Sequence, residues 1–155
     1  MQKTFLIGLG AQKAGTTWVY RYLREHPDCA MGNIKEMGSL RMHFGGEKNK
    51  KRRINHITWL SSALEKAEQD LRGGKLSSEH TQFLLDRMEN VAADLSFDHY
   101  IRYFSTLFQQ KPGAMLTGDI TPEYGLMSRS ELERTKLCLE KAGYRVKASA
   151  IERCS

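Results

Sequence analysis

Three stretches of the chain carry residue types whose spacing could do chemistry. The first, Gly10-Ala11-Gln12-Lys13-Ala14-Gly15-Thr16-Thr17, stands between an apolar run and an amphipathic segment. A glycine turn there lets backbone amides and the positive end of a helix converge on a phosphate or sulfate. An ATP-binding loop of the GxxxxGK[ST] kind would need lysine where Thr16 stands, and here the lysine comes earlier, at Lys13. Generic ATP hydrolysis is therefore disfavoured, and the reading without a ligand is a tight strand-to-helix turn. The second stretch, Lys35-Glu36 with His43-Phe44 beyond it, reads on its own as a charge pair solvated on a loop and a structural histidine. The third, Gly118-Asp119-Ile120-Thr121-Pro122-Glu123-Tyr124, reads on its own as a proline turn closing a strand, with Asp119 satisfying local backbone donors. The basic residues Lys48, Lys50, Lys51, Arg52 and Arg53 could bind nucleic acid, but without interleaved aromatics they read as a solvated, mobile loop.

Local patterns give the elements that must position these residues. Thr4 to Leu9 is a short apolar run ending at a glycine, the mark of a strand buried on both faces of a parallel sheet. Thr17 to Arg24 reads as a helix with Trp18, Tyr22 and Leu23 at helical spacing, halted by His26-Pro27. Residues 33–56, with three glycines and the basic run, read as an exposed loop with few packing contacts. Ile57 to Leu71 is an amphipathic helix on Leu60, Leu64, Ala67 and Leu71, stopped by Gly73-Gly74. Further helices are expected over Glu79 to Ala93 after the caps Ser77 and Ser78, and over Phe97 to Gln109 after Ser96. Ala114 to Thr117 and Tyr144 to Ile151 are the remaining strands. Between them Ser130 and Glu133 form a capping-box pattern for a helix ending near Gly143. Strands separated by helices predict an α/β fold with a short parallel sheet flanked by helices.

The string Gln12-Lys13-Ala14-Gly15-Thr16-Thr17-Trp18, followed by Tyr22-Leu23 and His26-Pro27, resembles the 5′-phosphosulfate loop of the sulfotransferase family. The resemblance implies a P-loop-type three-layer domain and a donor, 3′-phosphoadenosine 5′-phosphosulfate (PAPS), held by Gln12, Lys13, Ala14, Gly15, Thr16, Thr17 and Trp18. It implies that Lys13 bridges toward the leaving oxygen and that Thr16 and Thr17 hold phosphate oxygens. Lys35-Glu36 with a nearby His-Phe is similar to a segment of carbohydrate-type and bacterial members, in which the glutamate acts as base on the acceptor hydroxyl. Carried over, that base is Glu36. Met37 to Met42 looks like an insertion between the two parts, and His43 is the alternative base. Gly118 to Tyr124 resembles the family's Gly-acidic-x-Thr-Pro-x-Tyr loop on the acceptor side of the cleft.

The match runs from residue 4 to about 147. At its end the family's 3′-phosphate grip, an arginine and a serine eight residues later, has only Lys147 and Ser155, or an offset through Arg153, as counterparts. The expectation is therefore one domain over 1–155 that forms the N-terminal part of the family fold and is incomplete at the C-terminus. The leading function is sulfuryl transfer from PAPS to an acceptor hydroxyl or amine, small-molecule or carbohydrate, without a metal. A truncated, non-catalytic nucleotide-binding remnant is the alternative, and a small-molecule kinase ranks lower because it lacks the phosphate-loop lysine and a Mg²⁺-binding acidic strand end.

Composition sets the outer bounds. With 155 residues, 40% hydrophobic and 27% charged, the chain has the make-up of a globular domain. The excess of 24 Lys and Arg over 18 Asp and Glu gives a charge of +6, which favours an anionic partner. The apolar run at Phe5 to Leu9 is too short for a bilayer and leads into the glycine loop instead of a cleavage site, so a mature cytoplasmic start is expected. Cys29, Cys138 and Cys154 form no CxxC pair and are expected to be reduced thiols. Taken by themselves, Trp18 and Trp59 read as packing residues and not as ligand stackers.

Overall fold

The computed structural model describes residues 1–46 and 49–150. In chain order its elements are β1 (Thr4–Gly8), α1 (Thr16–Glu25), α2 (Ser39–Phe44), α3 (Lys50–Arg72), α4 (Ser78–Leu95), α5 (Phe97–Gln110), β2 (Leu116–Ile120), a 3-10 turn (Pro122–Leu126), α6 (Arg129–Lys141) and β3 (Arg145–Ser149). The strands form a parallel sheet in the order β2-β1-β3, as expected of strands joined through helices. Phe5 pairs with Thr117 on one side and Val146 on the other, so the apolar run is the central strand.

Alternation along β1 divides the core between the two faces of the sheet. Phe5 and Ile7 pack with Tyr100, Phe104, Tyr124, Leu139 and Tyr144, while Leu6 points to the cluster of Tyr20, Cys29, Met31 and Ile120. Helices therefore cover both faces, with α1 against the Leu6 face and α5 and α6 against the other. Phe5 meets Phe104 edge-on at 4.8 Å, and Tyr100 meets Phe104 likewise at 4.9 Å, the geometry aromatic quadrupoles favour.

Several expectations change. Residues 33–56 are not an open loop: Met37, Ser39, Leu40 and Met42 are buried, α2 forms, and α3 begins at Lys50 instead of Ile57. Two of the glycines read there as loop formers bound α2 instead, Gly38 before it at φ 73° and Gly45 after it. Of the basic run, Lys48 lies outside the described residues. Arg52 and Arg53 are half-buried in the first turns of α3, donating to Glu123 and to the Met42 carbonyl. The capping box of α6 is Ser128 with Glu131, two residues before the Ser130 and Glu133 pair, and both of its reciprocal bonds form.

The tryptophans are not core residues. The buried face of α1 carries Thr16 and Tyr20, backed by Val19 and Leu23, which turns Trp18 outward to stack on Tyr22 at 5.6 Å. Trp59 is exposed against the edge of Phe83. The last strand runs Arg145–Ser149, and the expected end at Ile151 falls outside the described residues. No helix among the described residues is long and apolar enough to cross a membrane.

Candidate functional site

A cleft of about 420 Å³ opens at the C-terminal ends of β1 and β2. It is lined by Gln12, Lys13, Gly15, Thr16 and Thr17 from the β1–α1 loop, by Lys35, Glu36 and Arg52, and by Thr121, Pro122 and Glu123. The crevice outside the carboxyl ends of parallel strands is where open α/β sheets receive ligands. Two sequence-distant stretches meet there because glycine allows close approach: a Cβ on Gly10, itself at φ 94°, would sit 2.9 Å from Pro122 Cα. Ala14 and Trp18 are outside the lining.

The loop leads into a helix start that no side chain caps. Gly15 stands at the N-cap of α1 in the left-handed region at φ 89°, where glycine alone is unstrained. The orphan amides of the first turn and the positive end of the helix dipole are thus left to a ligand or water. No acidic residue stands in that turn to compete for them. Thr16 is buried, whereas Gln12, Lys13 and Thr17 are exposed at the cleft.

Lys13 and Glu36, the two residues given chemical roles by resemblance, are also the two non-glycine residues at positive φ among the described residues, 59° and 56°. Such backbone costs on the order of 1 kcal/mol or more and persists only where the surroundings impose it. The surroundings of Glu36 are on view. Lys35 Nζ lies 2.7 Å from Glu36 Oε1 and 2.5 Å from Thr17 Oγ1, so one ammonium joins the carboxylate to the first turn of α1. The chain after Glu36 is clamped from two sides: Gly38 N–H donates to Thr121 Oγ1 and Leu40 N–H to Tyr124 Oη, while Asn90 donates to the Met37 carbonyl and Ser39 to Asp94.

His43 leaves the site. The first turn of α2 carries it away from the cleft, where it donates through Nε2 to the Ala93 carbonyl at 2.7 Å and packs on Phe97. Burial holds its imidazole below the usual histidine range, against the pull of that carbonyl and with a further push from Arg53. Of the two candidate bases, only Glu36 lines the cleft.

One cleft residue, Arg52, and one buried residue, Asp119, take roles that local signals do not give. Arg52 sits in a basic run that reads as solvent-exposed, yet its guanidinium donates to Glu123 Oε2 at 2.6 Å, joined by Arg41 at 3.2 Å. Those partners, Arg52 first, hold the Glu123 carboxyl below the usual carboxylate range. Asp119, read as a local turn acceptor, is instead a buried hub that accepts from Tyr100, Thr121 and Tyr124 and from the Met37 amide. Burial raises its carboxyl above the ordinary range while those donors pull it back.

The 3′-phosphate grip is not assembled among the described residues: Lys147 is exposed on β3 opposite Leu6, and Arg153 and Ser155 fall outside them. No group of three His, Cys, Asp or Glu side chains that could hold a metal ion occurs among the described residues. Compared with known proteins, the chain matches no family model, no curated protein and no solved structure.

Proposed function

We propose that the chain binds PAPS in this cleft and transfers its sulfuryl group to an acceptor hydroxyl or amine. The observation that carries the reading is the joining of the phosphate loop to Glu36 across one cleft, with Lys13 and Glu36 both held at positive φ. The residues present suit the donor's 5′ end: uncapped α1 amides, the Lys13 ammonium and the Thr17 hydroxyl are donors for an anionic group. When bound, the donor supplies an activated sulfuryl group whose bridging oxygen departs with the nucleotide phosphate.

The protein's own part is positioning and charge. Lys13 stands where it can neutralise charge growing on the departing oxygen, and no metal is needed for that role. Glu36 accepts the acceptor's proton as its oxygen or nitrogen bonds to sulfur. Lys35 keeps the Glu36 carboxylate turned toward Thr17. Arg52 and Glu123 line the same cleft, where the acceptor would lie.

The test is sulfate transfer from labelled donor to a panel of sugar, phenol and amine acceptors. Label should move with the parent chain and fall at least tenfold with Glu36→Gln. Nucleotide binding without transfer to any acceptor would favour the non-catalytic reading, and a Mg²⁺-dependent transfer of phosphate from ATP would favour the kinase.

A further inference from the structure

We infer that Asp119, acting through Thr121 and Tyr124, is the positioning residue that holds Glu36 in the cleft. The inference deepens the proposed function and rests on it for the role of Glu36. Asp119 is 2% exposed, and both of its oxygens accept: Oδ1 from Thr121 at 2.8 Å, Oδ2 from Tyr100 at 3.1 Å and from Tyr124. A fourth bond comes from the Met37 amide, next in chain to Glu36. Four donors around one side chain match the acceptor capacity of an ionised carboxylate, which can donate nothing itself.

That one-way demand fixes the polarity of the hydroxyls. Thr121 and Tyr124 each spend their only hydrogen on Asp119, so each must present lone pairs on its other side. Those lone pairs receive the Gly38 amide at 3.2 Å and the Leu40 amide at 3.2 Å. The backbone N–H groups of Met37, Gly38 and Leu40 are thus all held by one buried charge, two of them through a hydroxyl. They begin immediately after Glu36, whose φ of 56° an unrestrained glutamate would leave. Tyr124 is fully buried and outside the cleft lining, so it touches neither donor nor acceptor.

The variants are Tyr124→Phe and Asp119→Asn, which keep ring and side-chain volume. In Asp119→Asn an amide NH₂ must face at least one hydroxyl hydrogen, which forces that hydroxyl to turn. The first readout needs no turnover: the ¹³C signal of the Glu36 carboxyl and the exchange rates of the Met37, Gly38 and Leu40 amides. Both should change in each variant, amide exchange rising at least tenfold, while affinity for adenosine 3′,5′-bisphosphate stays within about twofold. The second is turnover: kcat should fall at least tenfold with KM for donor little changed, and neither variant should lower kcat further in a Glu36→Gln background. A Glu36 signal and amide exchange like the parent's would overturn the inference, as would losses that add to that of Glu36→Gln. If the signal and exchange move but the parent transfers no sulfate, the positioning stands and the sulfotransferase reading fails.

Discussion

Lys35 Nζ is shared between Glu36 Oε1 at 2.7 Å and Thr17 Oγ1 at 2.5 Å, which makes it the direct link between the carboxylate and the first turn of α1. Its side chain is 30% exposed, so water screens the pair and its share of fold stability is small, roughly 0–1 kcal/mol. Lys35→Met should therefore leave the urea midpoint nearly unchanged while sulfate transfer drops several-fold. A variant that loses stability and keeps its activity would make Lys35 a fold residue only.

The start of α6 offers a clean contrast between neighbouring serines. Ser128 accepts from the Glu131 amide and Glu131 answers to the Ser128 amide, so Ser128→Ala should cost about 1 kcal/mol. Ser130 lies within the first turn and is exposed, and Ser130→Ala should be close to neutral. Urea denaturation of both variants decides; equal losses would contradict the assignment of the cap.

The contrast also bears on what the chain declares locally. β1, α1 and the caps Ser77 and Ser96 were legible because an apolar run, a glycine turn and an N-cap hydroxyl act within a few residues. The α2 region was not. Its glycines and basic run carry loop propensities, and what holds its backbone is a pair of hydroxyls some 80 positions away, Thr121 accepting from the Gly38 amide at a separation of 83 and Tyr124 from the Leu40 amide at 84. Arg52 and Glu123 are 71 apart, and no periodicity links them. Lys13 and Glu36 were singled out through the motif strings, while the hydrogen-bond network around the segment after Glu36 exists only in three dimensions.

Acid should act on the fold in steps of known sign. His43 is held below 6.5, so the stability it contributes is present above that pH and lost as pH falls through its lowered folded value. Glu123, held below 4.5, gives stability present above 4.5 and lost further down. Asp119 runs the other way, since its raised value favours the fold most below 3.8. Melting temperature should thus begin to fall below about pH 6.5, and His43→Gln, which can still donate to the Ala93 carbonyl, should flatten that first limb. An unchanged limb in the variant would assign it to another group.

Phe104 is 1% exposed and meets Phe5, Tyr100 and Tyr103 with ring centroids 4.8 to 5.0 Å away. Phe104→Ala should cost about 3–5 kcal/mol, enough to threaten a domain of this size. Phe104→Leu, which fills more of the space, should cost less. If the two lose the same small amount by urea denaturation, the aromatic cluster is not the centre of the core.

The central claim is that the loop from Gly10 to Thr17 is built for the phosphosulfate end of an adenosine nucleotide and that Lys13 grips it. Calorimetry with adenosine 3′,5′-bisphosphate, on the parent chain and on Lys13→Ala, tests this most directly, with ATP and Mg²⁺ as the competitor. The bisphosphate should bind more tightly than ATP. Lys13→Ala should lose about tenfold to a hundredfold in affinity, the worth of one charge-assisted bond of ~1.5–3 kcal/mol. Mg²⁺-dependent ATP binding of equal or greater strength, or a Lys13→Ala chain that binds the bisphosphate like the parent, would contradict the account.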